Sequence, residues 1–374
     1  MAKYEWTKAR ILRWTLGISG WIFCLILAFV TEQYYRWEVC NFSSRDGESH
    51  SYNIYEGASI DSLLTLLEQD YEISAETDLD WHMRILLFRY PEPGHYTVPA
   101  QIGDRELIEK FKYGRQTPVN ITWNHFVRTR EELAGKVTTN LLMDSLTLLR
   151  LLEDDEYLAP YGLNKETSRC LFIPNTYEVY WNISPDQLFE RMQKEYNRFW
   201  NEERRRKADS IGLTPVEIAI VASIVEGESH NKKEMPLIAS LYLNRVHKNM
   251  PLQACPTIKY AVGDFKLRRV LYSHLNVDSP YNTYKNPGLP PGPIRCPDPE
   301  TLDMVLNAPK TDYLFMCASP ELNNTHIFSS SYRNHAAAAS KYRHTMDTIN
   351  WETFDAMRKA EREAQQQQQQ EQQQ

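Results

Sequence analysis

The chain has 374 residues, of which 42% are hydrophobic and 24% are charged. That composition can bury a core, so disorder of the whole chain is excluded, and the length fits about two folded domains. The formal net charge is −7, but the first 30 residues hold four basic residues and one acidic residue, which leaves 38 basic against 48 acidic residues in the rest. Binding to a phosphate backbone requires basic stripes, so no nucleic-acid partner is expected for this acidic body.

The sequence lacks the motifs of the common metal and nucleotide sites. It has six cysteines and contains no CxxC, no HExxH and no cluster at zinc-ligand spacing. It also contains neither GxGxxG nor a P-loop. No cofactor and no metal ion are therefore expected.

An apolar segment near the N-terminus, from Trp14 to Val30, has 17 residues without a charge. A helix needs about 17–25 such residues to cross a bilayer, so a transmembrane helix is predicted over residues 14–31. The basic residues that precede the segment are Lys3, Lys8, Arg10 and Arg13. The positive-inside rule then predicts a cytoplasmic tail over residues 1–13 and a body outside the membrane. A cleaved signal peptide is the alternative, although the residues around position 30 make a poor cleavage site.

The last part of the sequence is polar. Residues 351–374 are rich in charged side chains and include a glutamine tract from Gln365. Such a segment cannot bury a core, so it is predicted to be disordered at its end.

The segment after the apolar run alternates short strand and helix signals. A strand is predicted at Tyr52–Tyr55, followed by a turn at Glu56-Gly57 and a helix capped by Ser59. A second strand is predicted within Pro93–Pro99, and Asp104 begins another helix. Units of this kind build compact α+β modules, in which each of these residues is expected to have a structural role.

A second, larger domain is predicted from Thr117 to about Thr348. It contains a long helical stretch around residues 130–155, an aromatic loop at 172–181 and a helix over 184–206. The predicted fold class is therefore α+β, with an N-terminal transmembrane helix, a small module and a larger mixed α/β domain.

The most informative helix begins at Thr214, which forms a capping box with Glu217 and is followed by a proline at the first helical position. Residues 218–225 (IAIVASIV) contain one polar side chain and surround the helix axis with apolar groups. A helix that is apolar on all sides is a buried helix. It ends in Glu226-Gly227-Glu228-Ser229, so two carboxylates are predicted at the end of a buried helix.

This position has a chemical consequence for the two carboxyl groups. Desolvation, the negative end of a helix dipole and a second nearby carboxylate each raise the pKa of a carboxyl group. A carboxyl group that stays protonated near neutral pH is what a glycosidase general acid requires. In the alternative, both glutamates are solvated where the helix reaches the surface, as is usual for glutamate.

Downstream stretches combine polar, aromatic and loop-forming residues. A helix is predicted at Leu237–His247, with Asn244-Arg245 near its end. It is followed by LQACPT, SPYNTY and NPGLPPGP, whose prolines and glycines indicate stiff loops. Tyrosine and asparagine in a stiff loop suit sugar recognition through ring stacking and amide hydrogen bonds. An ordinary surface loop is the alternative.

Taken in order, the stretches ASIVEGES, LYLNRV, LQACPTIKY, SPYNTYKNPGLPPGPI and HIFSSS resemble the endolytic murein transglycosylases of the YceG-like (MltG) family. The resemblance extends from about Tyr52 to His344. It implies a small LysM-like module over residues 50–116 and a YceG-like catalytic domain over residues 117–350. It also implies a single-pass enzyme of the bacterial cytoplasmic (inner) membrane.

The resemblance implies a reaction and partners as well. A lytic transglycosylase, which is a lyase, would cleave the β-1,4 bond between MurNAc and GlcNAc in nascent peptidoglycan. The cut would leave 1,6-anhydro-MurNAc ends and limit elongation of the glycan strand. The expected partners are glycan strands and the cytoplasmic membrane, and the family adds peptidoglycan synthases or elongation-complex proteins.

The family motif places the catalytic acid at Glu228 and gives Glu226 a supporting role. The other supporting or substrate-binding residues expected in these motifs are Asn244, Gln253, Thr257, Tyr281, Asn282, Thr283 and Tyr284. Cys255 stands where the family usually has an aspartate. Because the rest of the pattern is intact, this change is expected to be tolerated.

Two other functions stay open. A non-catalytic, membrane-anchored peptidoglycan-binding protein could keep the fold, although the presence of Glu228 argues against it. A hydrolase that uses Glu226 and Glu228 together is a weaker hypothesis, because side chains two residues apart on a helix point about 160° apart.

The cysteines give a separate prediction. Five lie outside the predicted membrane span, namely Cys40, Cys170, Cys255, Cys296 and Cys317. An odd number leaves at least one unpaired or bonded elsewhere. Cys255 and Cys296 each precede a proline and flank the segments placed around the sugar cleft, so a disulfide between them is predicted. In the alternative, both are buried thiols that act as small apolar residues.

Overall fold

The computed structural model describes residues 2–38, 41–74, 79–267, 270–323 and 325–349. These residues form two units, each with its own packing. Unit 1 contains the described residues up to Ile121, together with Val137–Asp144 and Thr176–Pro185. Unit 2 contains Thr122–Lys136, Ser145–Asn175 and the described residues from Asp186 onward. The tail predicted to be disordered, 351–374, and Cys40 lie outside the described residues.

The described residues form a mixture of helices and strands, which agrees with the predicted α+β class. The helices are α1 (Ala2–Glu38), α2 (Ile60–Asp70), α3 (Leu79–Ile85), α4 (Asp104–Lys112), α5 (Arg130–Thr138), α6 (Ser145–Leu152), α7 (Asp155–Leu158), α8 (Pro185–Phe199), α9 (Glu202–Ile211), α10 (Pro215–Glu228), α11 (Met235–His247), α12 (Cys255–Val262), α13 (Pro299–Leu306) and α14 (Tyr332–Thr348). The strands are β1 (Phe42–Ser44), β2 (His50–Ile54), β3 (Tyr71–Ile73), β4 (Gly94–Val98), β5 (Gln101–Ile102), β6 (Val119–Trp123), β7 (Asn175–Val179), β8 (Phe315–Ala318) and β9 (His326–Ser329).

Among the described helices, α1 is the one that is long and apolar enough to cross a membrane by itself, over Arg10–Arg36. The most apolar part of this helix is not buried in the protein, and Trp21 is 75% exposed. Large apolar side chains on all sides of an unburied helix are stable in lipid rather than in water. The predicted span over residues 14–31 lies within α1, which fits a single-pass membrane anchor.

The core of unit 1 is built on the antiparallel strands β2 and β4, in which Tyr52 pairs with Tyr96. Because strand side chains alternate, Tyr52 and Ile54 face the core while Asn53 faces outward. Ser59 caps α2 by accepting a hydrogen bond from the backbone N–H of Ser62, as predicted. Both predicted strands and the helix that begins at Asp104 are confirmed. A second antiparallel sheet has the strand order β3-β1-β5.

The structure corrects two predicted helices. The stretch around 130–155 is not one helix, because α5 ends at Thr138 and α6 begins at Ser145. Between them, the backbone N–H of Leu142 donates to the backbone oxygen of Trp181, and the side-chain amide of Asn140 donates to the backbone oxygen of Asn120, so this stretch is bonded to other segments instead of continuing the helix. The helix predicted over 184–206 is also two helices, α8 and α9.

The break between α8 and α9 has a local cause. Asn201 has an extended backbone, and its side chain accepts from the backbone N–H of Arg204, so it begins a new helix instead of continuing the previous one. The aromatic segment 172–181, which was predicted to be a loop, contains the strand β7.

Helix α10 is the centre of unit 2, and it packs against α11, α12 and α13. The predicted capping box is present, with Thr214 accepting from the Glu217 backbone N–H and Glu217 accepting from that of Thr214. All side chains from Ile218 to Val225 are buried, as the apolar pattern predicted. The antiparallel hairpin of β8 and β9 packs against α14. The core of unit 2 therefore fixes the end of α10, where the two glutamates lie.

Candidate active site

A cavity of about 340 Å³ opens at the C-terminal end of α10, within unit 2. Its wall includes Glu228 from α10, Tyr242 and Arg245 from α11, and Gln253 and Cys255 from the next segment. Residues of β8, β9 and α14 supply most of the remaining wall. The cavity thus brings the predicted catalytic acid together with residues from several of the sequence motifs.

Glu228 is the last residue of α10, and its Oε1 accepts a hydrogen bond of 2.8 Å from the hydroxyl of Tyr242. Burial raises the pKa of Glu228 above its ordinary value. The Tyr242 hydrogen bond, the charge of His326 and the backbone N–H of Cys255 lower it in part. The net effect favours the protonated acid at higher pH than for a solvated glutamate, which is what proton donation requires.

Tyr242 is a functional candidate that was not selected from the sequence, although it lies within the LYLNRV motif. It is 1% exposed, and burial together with Glu228 raises its pKa well above the ordinary value. Its hydroxyl therefore stays protonated and donates to Glu228. The sequence signal that could have found it is a tyrosine on the apolar helix that follows the glutamates, because a buried hydroxyl needs a partner.

Arg245 organises the loop beside Glu228. Its guanidinium donates to the backbone oxygens of Leu314, Pro251 and Leu252, at 2.6, 3.0 and 2.9 Å. Gln253 lines the cavity and has a φ of 53°, a left-handed conformation that is uncommon for residues other than glycine. Arg245 thus holds the backbone that leads into Gln253, and its guanidinium also donates to Gln253 Oε1 at 3.4 Å.

Cys255, which stands where the resemblance implies an aspartate, lines the cavity. Its Sγ lies 3.4 Å from the hydroxyl of Tyr284, which also lines the cavity. Burial raises the pKa of the Cys255 thiol, so the group is neutral where an aspartate would carry a charge. Its backbone N–H favours the carboxylate of Glu228 and so lowers the pKa of that group in part.

The other predicted site residues lie around the cavity rather than in its wall. Thr257 and Thr283 are buried and share a hydrogen bond of 2.8 Å, and Thr283 also accepts from the backbone N–H of Ala254. Asn282 is fully buried, and its amide donates to the backbone oxygens of Leu275 and Val277. These three residues hold the loop that carries Tyr284.

Asn244 and Tyr281 are also committed to contacts within the protein. The amide of Asn244 donates to the backbone oxygens of Thr311 and Tyr313, at 2.8 and 3.0 Å. The hydroxyl of Tyr281 donates to Glu166 at 2.7 Å. Both side chains therefore stabilise the surroundings of the cavity.

Glu226 faces a different cavity from Glu228. It is 2% exposed, its Oε1 accepts from the backbone N–H of Asp298 at 2.7 Å, and it lines a small cavity of about 110 Å³ with His125 and His230. Burial raises the pKa of Glu226 to about 7, against the lowering effects of the nearby Thr301 side chain and of the hydrogen bond from Asp298. The two glutamates therefore do not face one ligand.

The predicted disulfide is wrong. Cys255 and Cys296 are both free thiols: Cys255 lines the cavity, whereas Cys296 is fully buried and its pKa is raised to about 12 by burial. Cys296 follows the alternative interpretation of a small apolar residue in the core. The position of a cysteine before a proline does not show whether two cysteines lie close enough in space to form a disulfide.

The arrangement at the end of α10 is that of an acid–base site with one carboxyl group, which the hydroxyl of Tyr242 contacts and beside which Arg245 supplies a cation. Within the part of the chain that the structure describes, no group of three His, Cys, Asp or Glu side chains could hold a metal ion. The chain belongs to the YceG-like family, whose family model matches residues 52–341.

Individual relatives agree with this assignment. The chain is 37% identical over 309 residues to the endolytic murein transglycosylase of Bacillus subtilis (strain 168), and the aligned region covers 78% of this chain and 84% of the relative. It is 25% identical over 312 residues to the endolytic murein transglycosylase of Streptococcus pneumoniae strain D39, over 73% of this chain and 55% of the relative. The crystal structure of a YceG-like protein from Listeria monocytogenes superposes with a TM-score of 0.51 at 25% identity, covering 78% of this chain and 98% of that one.

Proposed function

We propose that the chain is an endolytic murein transglycosylase, a lyase that cleaves the β-1,4 bond between MurNAc and GlcNAc within nascent peptidoglycan strands. The observation that carries this proposal is the single carboxyl group of Glu228, with a raised pKa, in a cavity that Glu226 does not reach. The relatives named endolytic murein transglycosylase support it. The products are strands with 1,6-anhydro-MurNAc ends, and such cuts limit strand elongation.

One carboxyl group is sufficient for this reaction. Protonated Glu228 donates its proton to the glycosidic oxygen as the bond between that oxygen and the anomeric carbon breaks. The resulting carboxylate then accepts the proton of the C6 hydroxyl of the same MurNAc, whose oxygen forms the new bond to the anomeric carbon. Glu228 is protonated again at the end of the cycle, and the product is an intramolecular ether.

Tyr242 suits both halves of this cycle. Its hydrogen bond fixes the orientation of the Glu228 carboxyl group during proton donation, and it stabilises the carboxylate that forms after donation. Because Tyr242 remains protonated, it acts through Glu228 and is a positioning residue.

We also propose different roles for the remaining site residues. Gln253 and Tyr284 line the cavity and are placed to contact the sugar. Asn244, Thr257, Tyr281, Asn282 and Thr283 use their polar groups within the protein, so they hold the loops in place. Glu226 supports the site by accepting from the backbone of Asp298.

For localisation, we propose a single-pass protein of the bacterial cytoplasmic membrane, anchored by α1. Residues 1–13 lie in the cytoplasm, and the LysM-like module (50–116) and YceG-like catalytic domain (117–350) lie outside. The antiparallel pairing of β2 with β4, with α2, β3 and α3 between them in the chain, supports a separate small module here. Peptidoglycan synthases or elongation-complex proteins are proposed partners. If a C-terminal reporter that works only in the cytoplasm were found to be active, this topology would be contradicted.

The product ends test the function. Purified peptidoglycan is digested with the full chain in detergent, and the ends are identified by mass spectrometry. The proposal requires 1,6-anhydro-MurNAc ends from internal cuts. Free reducing ends would indicate a hydrolase, and intact strands would indicate a non-catalytic peptidoglycan-binding protein; either result overturns the proposal.

A further inference from the structure

One wall of the catalytic cavity is formed by the hairpin of β8 and β9, which has no part in the proton transfers of Glu228. His326 begins the HIFSSS stretch and is the first residue of β9, where it pairs with Ala318 of β8. Strand side chains alternate and directly paired residues share a face, so Met316, Ala318 and His326 lie on one face of the hairpin. All three residues line the cavity.

The imidazole of His326 is fixed by Glu234, the residue before α11, which is 8% exposed. Glu234 Oε1 accepts from the backbone N–H of His326 at 2.7 Å, and Oε2 lies 3.2 Å from Nδ1 of the ring. A carboxylate can only accept hydrogen bonds, so Nδ1 carries a proton and donates it to this bond. In the neutral imidazole, Nε2 is then a hydrogen-bond acceptor.

The acceptor of His326 is available to a ligand. Within the described residues, the ring is hydrogen-bonded through Nδ1 and not through Nε2, and the side chain is 20% exposed. Glu234 is not one of the residues that line the cavity, so it holds the ring from behind. The charge of His326 lowers the pKa of Glu228, which places the ring within electrostatic reach of the catalytic acid.

The surface around this acceptor is apolar. Ala318 lies directly opposite His326 on the neighbouring strand, and Met316 is two residues away on the same face. A sugar hydroxyl would use the acceptor alone. A 2-acetamido group presents an N–H donor together with a methyl group, which matches an acceptor beside a small apolar surface.

We propose that the β8–β9 wall binds the 2-acetamido group of a sugar beside the bond that is cut. His326 Nε2 accepts from the amide N–H, and Met316 and Ala318 contact the methyl group. Glu234 acts through His326 and is a positioning residue. The inference rests on the proposed function and adds to it the residues that select an N-acetylated sugar.

The first test changes the size of the acyl group. Glycan strands freed of stem peptides are de-N-acetylated and then re-acylated with acetic or butyric anhydride, and cleavage by the full chain in detergent is followed as kcat/KM. The wild type should cut N-butanoyl strands at least about tenfold less efficiently than N-acetyl strands, because a filled apolar pocket rejects additional methylenes. Met316→Ala makes room for the longer chain, so this preference should fall severalfold. Met346→Ala is the matched control, because Met346 is half-buried in the same unit and does not line the cavity.

The second test separates a contact with the substrate from a contact with Glu234. Glutamine at position 326 places its amide near the position of Nε2, whereas the shorter asparagine places its amide near that of Nδ1. If Nε2 binds the sugar, His326→Asn should lower kcat/KM on N-acetyl strands about three- to tenfold more than His326→Gln, the size of one hydrogen bond. A purely structural histidine would give the opposite order. His344→Gln, at an exposed histidine of α14, is the control.

Three results would overturn the inference alone, provided that the wild type cuts N-acetyl strands. These are equal cleavage of N-acetyl and N-butanoyl strands by the wild type, an equal preference in Met316→Ala and Met346→Ala, and activity of His326→Asn equal to or above that of His326→Gln. If the histidine variants do not fold, the measurement on Met316→Ala still decides. A wild type that cuts neither kind of strand would overturn the proposed function and this inference with it.

Discussion

Replacing Tyr242 with phenylalanine tests how the protein sets the acidity of Glu228. The substitution keeps the ring and removes the hydroxyl that donates to Glu228 Oε1 at 2.8 Å. A hydrogen bond to a charged group contributes about 1.5–3 kcal/mol, and this one favours the carboxylate over the acid. Its loss therefore raises the pKa of Glu228 further.

The sign of the effect on rate follows from the role of Glu228 as the initial acid. Activity at limiting substrate falls as pH rises through the pKa of the free enzyme's acid. A higher pKa therefore moves this alkaline limb of the pH–rate profile to higher pH. With about 1.36 kcal/mol per pH unit, the limb of kcat/KM should move up by roughly one to two pH units. Activity at the optimum should fall as well, because the carboxyl group loses its fixed orientation.

The assay measures initial rates of anhydro-end formation from pH 5 to pH 9 for the wild type, Tyr242→Phe and Tyr284→Phe. Tyr284→Phe is the control, because it removes a hydroxyl of the same cavity that contacts Cys255 Sγ and not Glu228. A lower rate with an unmoved limb in Tyr242→Phe would refute the reasoning, since a purely structural tyrosine would give that result.

Three further substitutions test the surroundings of the site. Gly227→Ala would place a Cβ 2.5 Å from Cβ of Pro256, so thermal unfolding should show a loss of about 1–3 kcal/mol and activity should fall. Gly135→Ala is the control and should be neutral or stabilising, because the added Cβ would meet no atom outside its own helix within 4 Å; equal effects would contradict the packing argument. Glu226→Gln removes a carboxyl group whose pKa of about 7 exceeds its ordinary value of 4.5, so the stability of the wild type falls as pH rises from 4.5 through 7. The variant should therefore be more stable than the wild type by up to about 3 kcal/mol at pH 8 and differ little from it at pH 4. A stability difference in chemical denaturation that does not depend on pH would refute this. Cys255→Asp adds a second carboxylate to the catalytic cavity, which should raise the pKa of Glu228 and move the alkaline limb of kcat/KM to higher pH. A limb that stays in place or moves to lower pH would show that the side chain at position 255 does not raise the pKa of Glu228.

The parts of the fold that could be predicted from the sequence are those with local causes. Helix α10 was predicted from a capping box and an unbroken apolar run, both of which lie within the helix itself. The break between α5 and α6 could not be predicted in this way, because it involves Asn140 bonding to a backbone group 20 residues away. The α8–α9 break did have a local signal, the Asn201 cap, which the apolar periodicity concealed.

The candidate site shows the same limit. Glu228 could be selected because its position at the end of a buried helix is a property of the chain. Residue type alone could not show that the amides of Asn244 and Asn282 are used by backbone oxygens, or that Tyr242 of α11 reaches Glu228.

The most direct test of the central claim is the replacement of Glu228 by glutamine, which keeps the shape of the side chain and removes the acid. Purified peptidoglycan is digested with the wild type and the variant, and 1,6-anhydro-MurNAc ends are counted by mass spectrometry, with Glu203→Gln, an exposed glutamate of α9, as the control. General acid–base catalysis by one residue contributes roughly 100- to 10,000-fold, so the variant should form almost no anhydro ends while keeping a normal Tm. Retention of more than about a tenth of wild-type activity would contradict the assignment of Glu228 as the catalytic acid.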